Sequence, residues 1–344
     1  MPYQVLNSEG KEITLNDREQ RVADYNQQIC NDLGFQVDIT TLTAISKSII
    51  EQKFYQIPFA DYVPVRVGEG AFSSELLTYK SFVTGGDFET GIINTAADNS
   101  KLAEVSAGVE PFRVPVVNWM KGITYSVFDL EQASRSGNWD LITTKEKSRK
   151  TNWDLGLQKI AFWGLTDISD VKGLLTLANV TSNTTVITKY IKDMSDTEFE
   201  AFLQDILSAY RINASYTAYP TKFVIPEADY NGLGVSTSED FPLKSKLARM
   251  LESFKLLTKN PNFEILPASY CDQAVNADVS GLNKNRYVLY HDVDDTIRMD
   301  IPVDYTNTLA NTMNNVQFQS AAYGQFTGVQ GFRTAEILYF DWNS

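Results

Sequence analysis

The only histidine in the 344-residue chain heads an acidic run, His291-Asp-Val-Asp-Asp295. An imidazole beside carboxylates could ligate a metal or orient a general base, which would make this a metal-dependent hydrolase or a binding protein. The same run also reads as a strand ending in a solvated acidic turn, because a metal site needs outer partners that the sequence does not identify. Two cysteines, Cys30 and Cys271, lie far apart with no metal-type spacing, and nothing brings either to His291. Both read as reduced, packed thiols. Gly68-Glu-Gly70 is too short a signal for a phosphate loop, and neither Gly-x-Ser-x-Gly nor His-Glu-x-x-His occurs. The sequence implies no cofactor and no metal.

The other chemistry-bearing cluster is Lys145-Glu-Lys-Ser-Arg-Lys150. Its four cations could touch phosphate, but the chain carries 30 Lys and Arg against 43 Asp and Glu, a net charge of −13. Phosphate neutralisation needs clustered bases, so sequence-reading nucleic-acid binding is excluded as a main task. An acidic wall is compatible with enclosing nucleic acid without gripping it. The favoured partners of the cluster are acidic groups of the same or a neighbouring protein. Trp153 and Trp163, at helical spacing, read as core rather than as a ligand platform.

Those residues must be carried by elements, and the composition is that of a folded protein. It is 43% hydrophobic, 21% charged and 12% aromatic, with length for about two to three compact units. No apolar run reaches the roughly 18 residues of a membrane span. Met1-Pro-Tyr-Gln-Val-Leu6 has no basic-then-apolar secretion pattern, so a cytosolic product is expected. Asn16–Gly34 reads as a capped helix with Val22, Ile29 and Leu33 in a stripe, and Thr40 opens a second one. Pro58 and Pro64 then keep Tyr55–Val67 extended.

A long two-stranded ribbon is expected over about Glu75–Phe128. Leu77, Tyr79, Val83 and Phe88 alternate on the outgoing arm, and Phe112, Val114, Val116, Trp119, Ile123, Tyr125 and Val127 on the returning one. Arms of about fifteen residues at roughly 3.3 Å each would reach some 50 Å. The stretch Gly91–Ala103 between them is too polar and small to build a core. An isolated ribbon is marginal by itself, so another surface must cover it. Gly137-Asn138 then breaks the chain, Asn138 caps a helix to Gly164 and Asp140 sits in its first turn. Trp153, Leu157, Ile160 and Ala161 give that helix a packing face in its second half, while its first half carries the basic cluster.

Further on, Val171–Tyr190 holds two short strand-like runs. Ser195-Asp-Thr-Glu198 is a capping box ahead of Phe199, Phe202, Ile206 and Tyr210. Strands at Phe223–Pro226, Phe263–Leu266 and Arg286–Tyr290 alternate with a helix at Leu243–Leu257, so residues 217–299 read as a compact α/β unit. The tail Phe318–Trp342 is β-rich with glycine interruptions. The fold class is α+β.

In this order the elements resemble the major capsid proteins of tailed bacteriophages, the Hong Kong 97 fold that encapsulin shells share. The resemblance rests on the ribbon, on Tyr125-Ser-Val-Phe-Asp-Leu-Glu131 leading into the long helix, and on Lys172-Gly-Leu-Leu175 after it. Phe223-Val-Ile-Pro-Glu-Ala-Asp-Tyr230, Ile301-Pro302 and the glycine-containing tail add to it. It implies an N-terminal arm over 1–64, an extended loop over 65–121 and a peripheral domain over 122–216 with a spine helix over 138–164. An axial domain over 217–299 and a return to the peripheral sheet over 300–344 complete it.

The implied function is a structural shell protein and not an enzyme. Such a protein self-assembles as pentamers and hexamers into an icosahedral capsid around double-stranded DNA in a virion, assembled in the host bacterial cytoplasm. Portal, scaffold and decoration proteins are the further implied partners, and no membrane is involved. An encapsulin-like compartment around a protein cargo is the same fold put to another use. The residues expected at assembly contacts are Phe88, Ile92, Ile93, Lys101, Leu102, Lys145, Lys147, Arg149 and Lys150. Some members form Lys–Asn cross-links, and Lys80 and Lys101 lie in the matching loop. No acid that would activate them is identifiable, so cross-linking is not expected.

Overall fold

The computed structural model describes residues 4–6, 12–14, 53–84, 106–135, 140–237, 241–279, 281–314 and 316–343. The chain divides into two units, Met1–Phe54 and Tyr55–Ser344. In the first, β1 (Gln4–Leu6) pairs antiparallel with β2 (Glu12–Thr14). The helices expected over Asn16–Gly34 and from Thr40 lie outside the described residues.

The second unit runs β3 (Val65–Val67), β4 (Glu75–Thr84), β5 (Ser106–Pro115), β6 (Val117–Ser126), α1 (Val127–Arg135) and α2 (Leu141–Trp163). Next come β7 (Thr181–Asn183), α3 (Asp196–Asn213), β8 (Lys222–Pro226), α4 (Glu227–Val235), α5 (Lys246–Thr258), β9 (Glu264–Ala268) and the one-turn α6 (Gln273–Asn276). The last strands are β10 (Asn285–Tyr290), β11 (Ile297–Ile301), β12 (Val303–Asn307), β13 (Asn311–Thr312), β14 (Gln317–Phe326), β15 (Val329–Gly331) and β16 (Ile337–Trp342).

Strands β4 and β5 form a two-stranded antiparallel ribbon in continuous register from Glu75↔Pro115 to Thr84↔Ser106. The returning arm stops sooner than its alternation suggested. After Pro115, Val116 gives its amide to Ser74 O, and β6 leaves to pair along its whole length with β14, from Val117↔Phe326 to Ser126↔Gln317. Alternation shows that one face of a strand is buried, not which strand pairs with it. The apolar side chains of β6 therefore serve the body: the rings of Trp119 and Trp153 lie 5.1 Å apart.

The long helix α2 begins at Asp140, not Asn138. The Asp140 carboxylate accepts from the Thr143 amide at 3.0 Å and from the Thr143 hydroxyl at 2.7 Å, bonds that hold its carboxyl below the usual range. Asn138 lies outside the described residues, and both residue types cap well, so type alone could not choose between them. At the other end Gly164 takes φ 76°, and the segment Val171–Thr176 folds back over the open carbonyls. Leu174 N donates to Ala161 O at 2.7 Å, Leu175 N to Phe162 O at 2.9 Å and the Thr176 hydroxyl to Trp163 O at 2.9 Å. Orphan carbonyls of the last turn are thus satisfied by backbone, and Gly173 lies so close to the helix end that no side chain fits. Of the two strand-like runs expected within 171–190, only β7 forms; the first run is this cap.

The central sheet has the order β7-β16-β10-β8-β9. Phe223, Ile225, Tyr287, Leu289, Leu338 and Phe340 face one apolar cluster with Phe199, Phe202, Ile206, Met250 and Phe254 of α3 and α5. Val224, Val288, Tyr290, Ile337 and Tyr339 face the other, with Trp153, Leu157 and Phe162 of α2. Strand β16 is an inner strand here, whereas the whole tail was expected in the peripheral sheet; only β14 pairs with β6. Its run Ile337-Leu-Tyr-Phe340 is apolar at every position, as burial on both faces requires. The capping box of α3 forms as expected, with Ser195 N donating to Glu198 Oε2 at 2.7 Å, and Lys189 and Ser195 hold the Glu198 carboxyl down at about 2.

Candidate assembly surface

The ribbon leaves the body at Val114, which is buried, and beyond it the side chains open to solvent. Leu77, Tyr79 and Val109 are 49, 64 and 63% exposed, an apolar content a surface ribbon does not need for its own stability. The foot of the ribbon is clamped from below. The rings of Phe112 and Phe332 meet edge to face at 5.3 Å, Lys80 Nζ lies 4.3 Å from the Phe112 centroid, and the Arg298 guanidinium covers Phe332 at 4.7 Å. Arg298 Nη2 also donates to the Thr78 hydroxyl at 3.0 Å and its Nε to Asp300 Oδ2 at 3.3 Å. Burial among these rings pushes the Lys80 ammonium pKa down, against the pull of Glu110. The clamp fixes where the ribbon points.

The basic cluster divides in two. Arg149 is 2% exposed and its partners are neutral, where acids were expected. Its Nη1 donates to Ser320 O at 3.0 Å, its Nη2 to Asn307 Oδ1 at 3.1 Å and its Nε to the Tyr305 hydroxyl at 3.0 Å. The guanidinium fork pins α2 to β12 and β14 of its own subunit. Lys145, half-buried, donates to Thr124 O of β6 at 2.9 Å. Lys147 and Lys150 are exposed. Phe88, Ile92, Ile93, Lys101 and Leu102 lie outside the described residues.

The His291 turn is occupied by structural contacts. His291 Nδ1 lies 3.2 Å from Glu336 Oε2, which also accepts from the Thr296 hydroxyl at 2.6 Å. Asp292 pairs with Lys222 at 2.6 Å, Asp294 with Arg66 at 2.9 Å and Asp295 with Arg333 at 3.8 Å. Among the described residues no three His, Cys, Asp or Glu side chains converge as a metal site. Cys271 is fully buried and its thiol is pushed well up by that burial, the opposite of a reactive cysteine. Cys30 lies outside the described residues. No described helix is long and apolar enough to cross a membrane.

A projecting ribbon, a long spine helix capped by a return turn and a helix-covered sheet together define the Hong Kong 97-like capsid fold, and solved capsids bear this out. The capsid protein of the myovirus phage XM1 superposes with a TM-score of 0.71 at 16% identity, over 90% of this chain and 99% of that one. The capsid of a native gene transfer agent particle gives 0.57 at 13% identity, over 90 and 98%. A structure from Mycobacterium phage Ogopogo gives 0.55 at 11%, over 91 and 98%. At such identities the likeness is one of fold. No curated protein matches the chain in sequence. The family model for major capsid proteins matches residues 90–342, well over half of the chain, and the chain belongs to the major capsid protein family. Family and fold point to a structural, non-enzymatic role, to self-assembly into shells and to a place in the virion shell.

Sequence reasoning missed the Phe112–Phe332–Arg298 clamp, because its parts lie some 200 residues apart and none is unusual for its own element. It also missed the exposed apolar residues at the far end of α3 and α5, where Ile212, Tyr216 and Leu257 are 64, 65 and 52% exposed. The signal in the sequence was Leu256, which at two positions beyond Phe254 falls off the face that Met250 and Phe254 bury and is 78% exposed.

Proposed function

We propose that the protein is the shell-forming subunit of an icosahedral phage capsid, assembling as pentamers and hexamers around double-stranded DNA in the host bacterial cytoplasm. The observation that carries this reading is the ribbon: ten residues pair with ten, no third strand of the described chain joins them, and apolar side chains stand exposed along it. Two-stranded sheets of that length are not stable in water without a surface to lie on, and a neighbouring subunit supplies one. Burial of ribbon, arm and spine across subunits would exceed the few thousand Å² of an ordinary obligate interface. The loop 85–105, with Phe88, Ile92, Ile93, Lys101 and Leu102, belongs to that contact, as do Lys147 and Lys150 on the exposed side of α2. The surplus of acids leaves packaged DNA mobile rather than bound. Portal, scaffold and decoration proteins are the expected further partners.

Deleting Gly91–Ala103 tests the assignment. The expected result is a subunit with unchanged circular dichroism and thermal midpoint that no longer assembles. Assembly at the wild-type level would refute the role given to the ribbon.

A further inference from the structure

A single bond fixes which way the ribbon backbone points. Val116 N donates to Ser74 O at 3.0 Å, so the pair next in register after Glu75↔Pro115 is a hydrogen-bonded one. Such pairs alternate along an antiparallel ladder. The even-numbered residues of β4 therefore bond to β5, while Glu75, Leu77, Tyr79, Ser81 and Val83 turn their N–H and C=O groups away from it. On β5 the outward positions are Ala107, Val109, Pro111, Arg113 and Pro115. The two prolines have no N–H to offer, which is one way an edge strand avoids further pairing. Strand β4 carries no proline. Among the described residues no hydrogen bond reaches the backbone of Leu77, Tyr79 or Ser81. One edge of the ribbon is interrupted and the other is open.

A groove of about 350 Å³ lies beside that open edge. Its ribbon wall is Thr78–Ser81 of β4, with no described residue of β5, and its other wall is Arg298, Phe332 and Arg333 of the body. The rim ions are already partnered: Arg298 with Thr78 and Asp300, Asp294 with Arg66, and Asp295 with Arg333. An occupant is therefore selected by its backbone rather than by charge. An extended chain is what matches outward N–H and C=O groups at every second residue. Laid beside β4, it sends alternate side chains into the groove toward Phe332, and the others widen the exposed face at Leu77 and Tyr79. Every described strand already has its partner, in this copy and equally in a second one, so the added strand comes from a different protein.

We infer that β4 accepts an uncharged, extended segment of another protein as a third strand of the ribbon, paired through Leu77, Tyr79 and Ser81. The shell reading concerns the exposed face of the ribbon, whereas this contact uses its edge, so the two stand or fall separately.

The test titrates the full-length protein, as subunits and as particles, with a fluorescent octapeptide of alternating valine and threonine. Anisotropy reads binding, and amide exchange reads its place. Saturable binding is expected, with exchange slowed several-fold at Leu77, Tyr79 and Ser81 and unchanged at Ala107 and Val109. Tyr79→Pro removes an outward N–H and none that bonds to β5, as Pro111 does on the strand opposite. It should weaken binding about tenfold or more at an unchanged melting temperature, and Val109→Pro should leave binding as it was. A peptide N-methylated along its pairing edge should not bind, and this keeps the test decisive if Tyr79→Pro disturbs the ribbon. Equal binding of the methylated peptide, or exchange at β4 that the peptide does not slow, overturns the inference. So does exchange at Leu77, Tyr79 and Ser81 that is already slow in particles before peptide is added, since a copy of this chain then holds the edge; the shell reading survives each of these results.

Discussion

At the residue scale the fold rests on groups that it has taken out of water. Arg149 is a buried cation served entirely by neutral oxygens, and it joins three elements that are distant in sequence. Arg149→Met is expected to orphan the Ser320 and Asn307 acceptors and to cost about 3 kcal/mol, at ~1–3 kcal/mol per buried unpaired acceptor. Chemical denaturation measures this, and a loss under ~0.5 kcal/mol would contradict the pinning role. Gly324 is the companion case. A Cβ there would lie 2.5 Å from the Trp153 ring, so Gly324→Ala should push α2 off β14 and lower stability by ~1–3 kcal/mol.

Asp272 gives a pH dependence at the same scale. Burial raises its carboxyl to about 6, against hydrogen bonds from the Glu227 and Ala228 amides. Burial also raises the neighbouring Asp229, which the Ile191, Lys192 and Tyr287 donors pull back. A group whose folded pKa is raised binds its proton more tightly when folded, so its contribution is present at low pH and is lost as pH rises through about 6. Stability from this carboxyl should therefore be ~1 kcal/mol greater at pH 5 than at pH 7, and Asp272→Asn should flatten that slope. A profile unchanged by the substitution would assign the dependence elsewhere.

At the scale of elements, what could be read from the sequence was whatever local chemistry decides. The capping box at Ser195, the packing face of α2 at Trp153, Leu157 and Ile160, and the outgoing ribbon arm over Leu77, Tyr79 and Val83 formed where their residues indicated. The partner of β6 could not be read, because Trp119, Ile123 and Tyr125 state only that a face is buried. The place of β16 in the central sheet follows from pairing with strands up to 160 residues away. Arg149 looked like part of a charged surface because its neighbours Lys147 and Lys150 are one, and only the position of β14 takes it inside. The clamp under the ribbon is an element-scale device, and Phe332→Ala tests it. Loss of an edge-to-face pair worth ~1 kcal/mol should speed amide exchange along Leu76–Tyr79 and Phe112–Val114 several-fold, with the central sheet unaffected. Equal exchange in both regions would mean that the ribbon is held from elsewhere.

At the scale of the whole molecule, the chain is a spine and a two-faced sheet that complete their own cores, joined to a ribbon that does not. The incomplete part is what a shell subunit requires, since each copy then covers what another leaves open. The most direct measurement is electron microscopy of the purified full-length protein, alone and with phage assembly factors. Closed shells, or rings of five and six, of uniform size are the expected result. A protein that stays monomeric at high concentration in both conditions would contradict it.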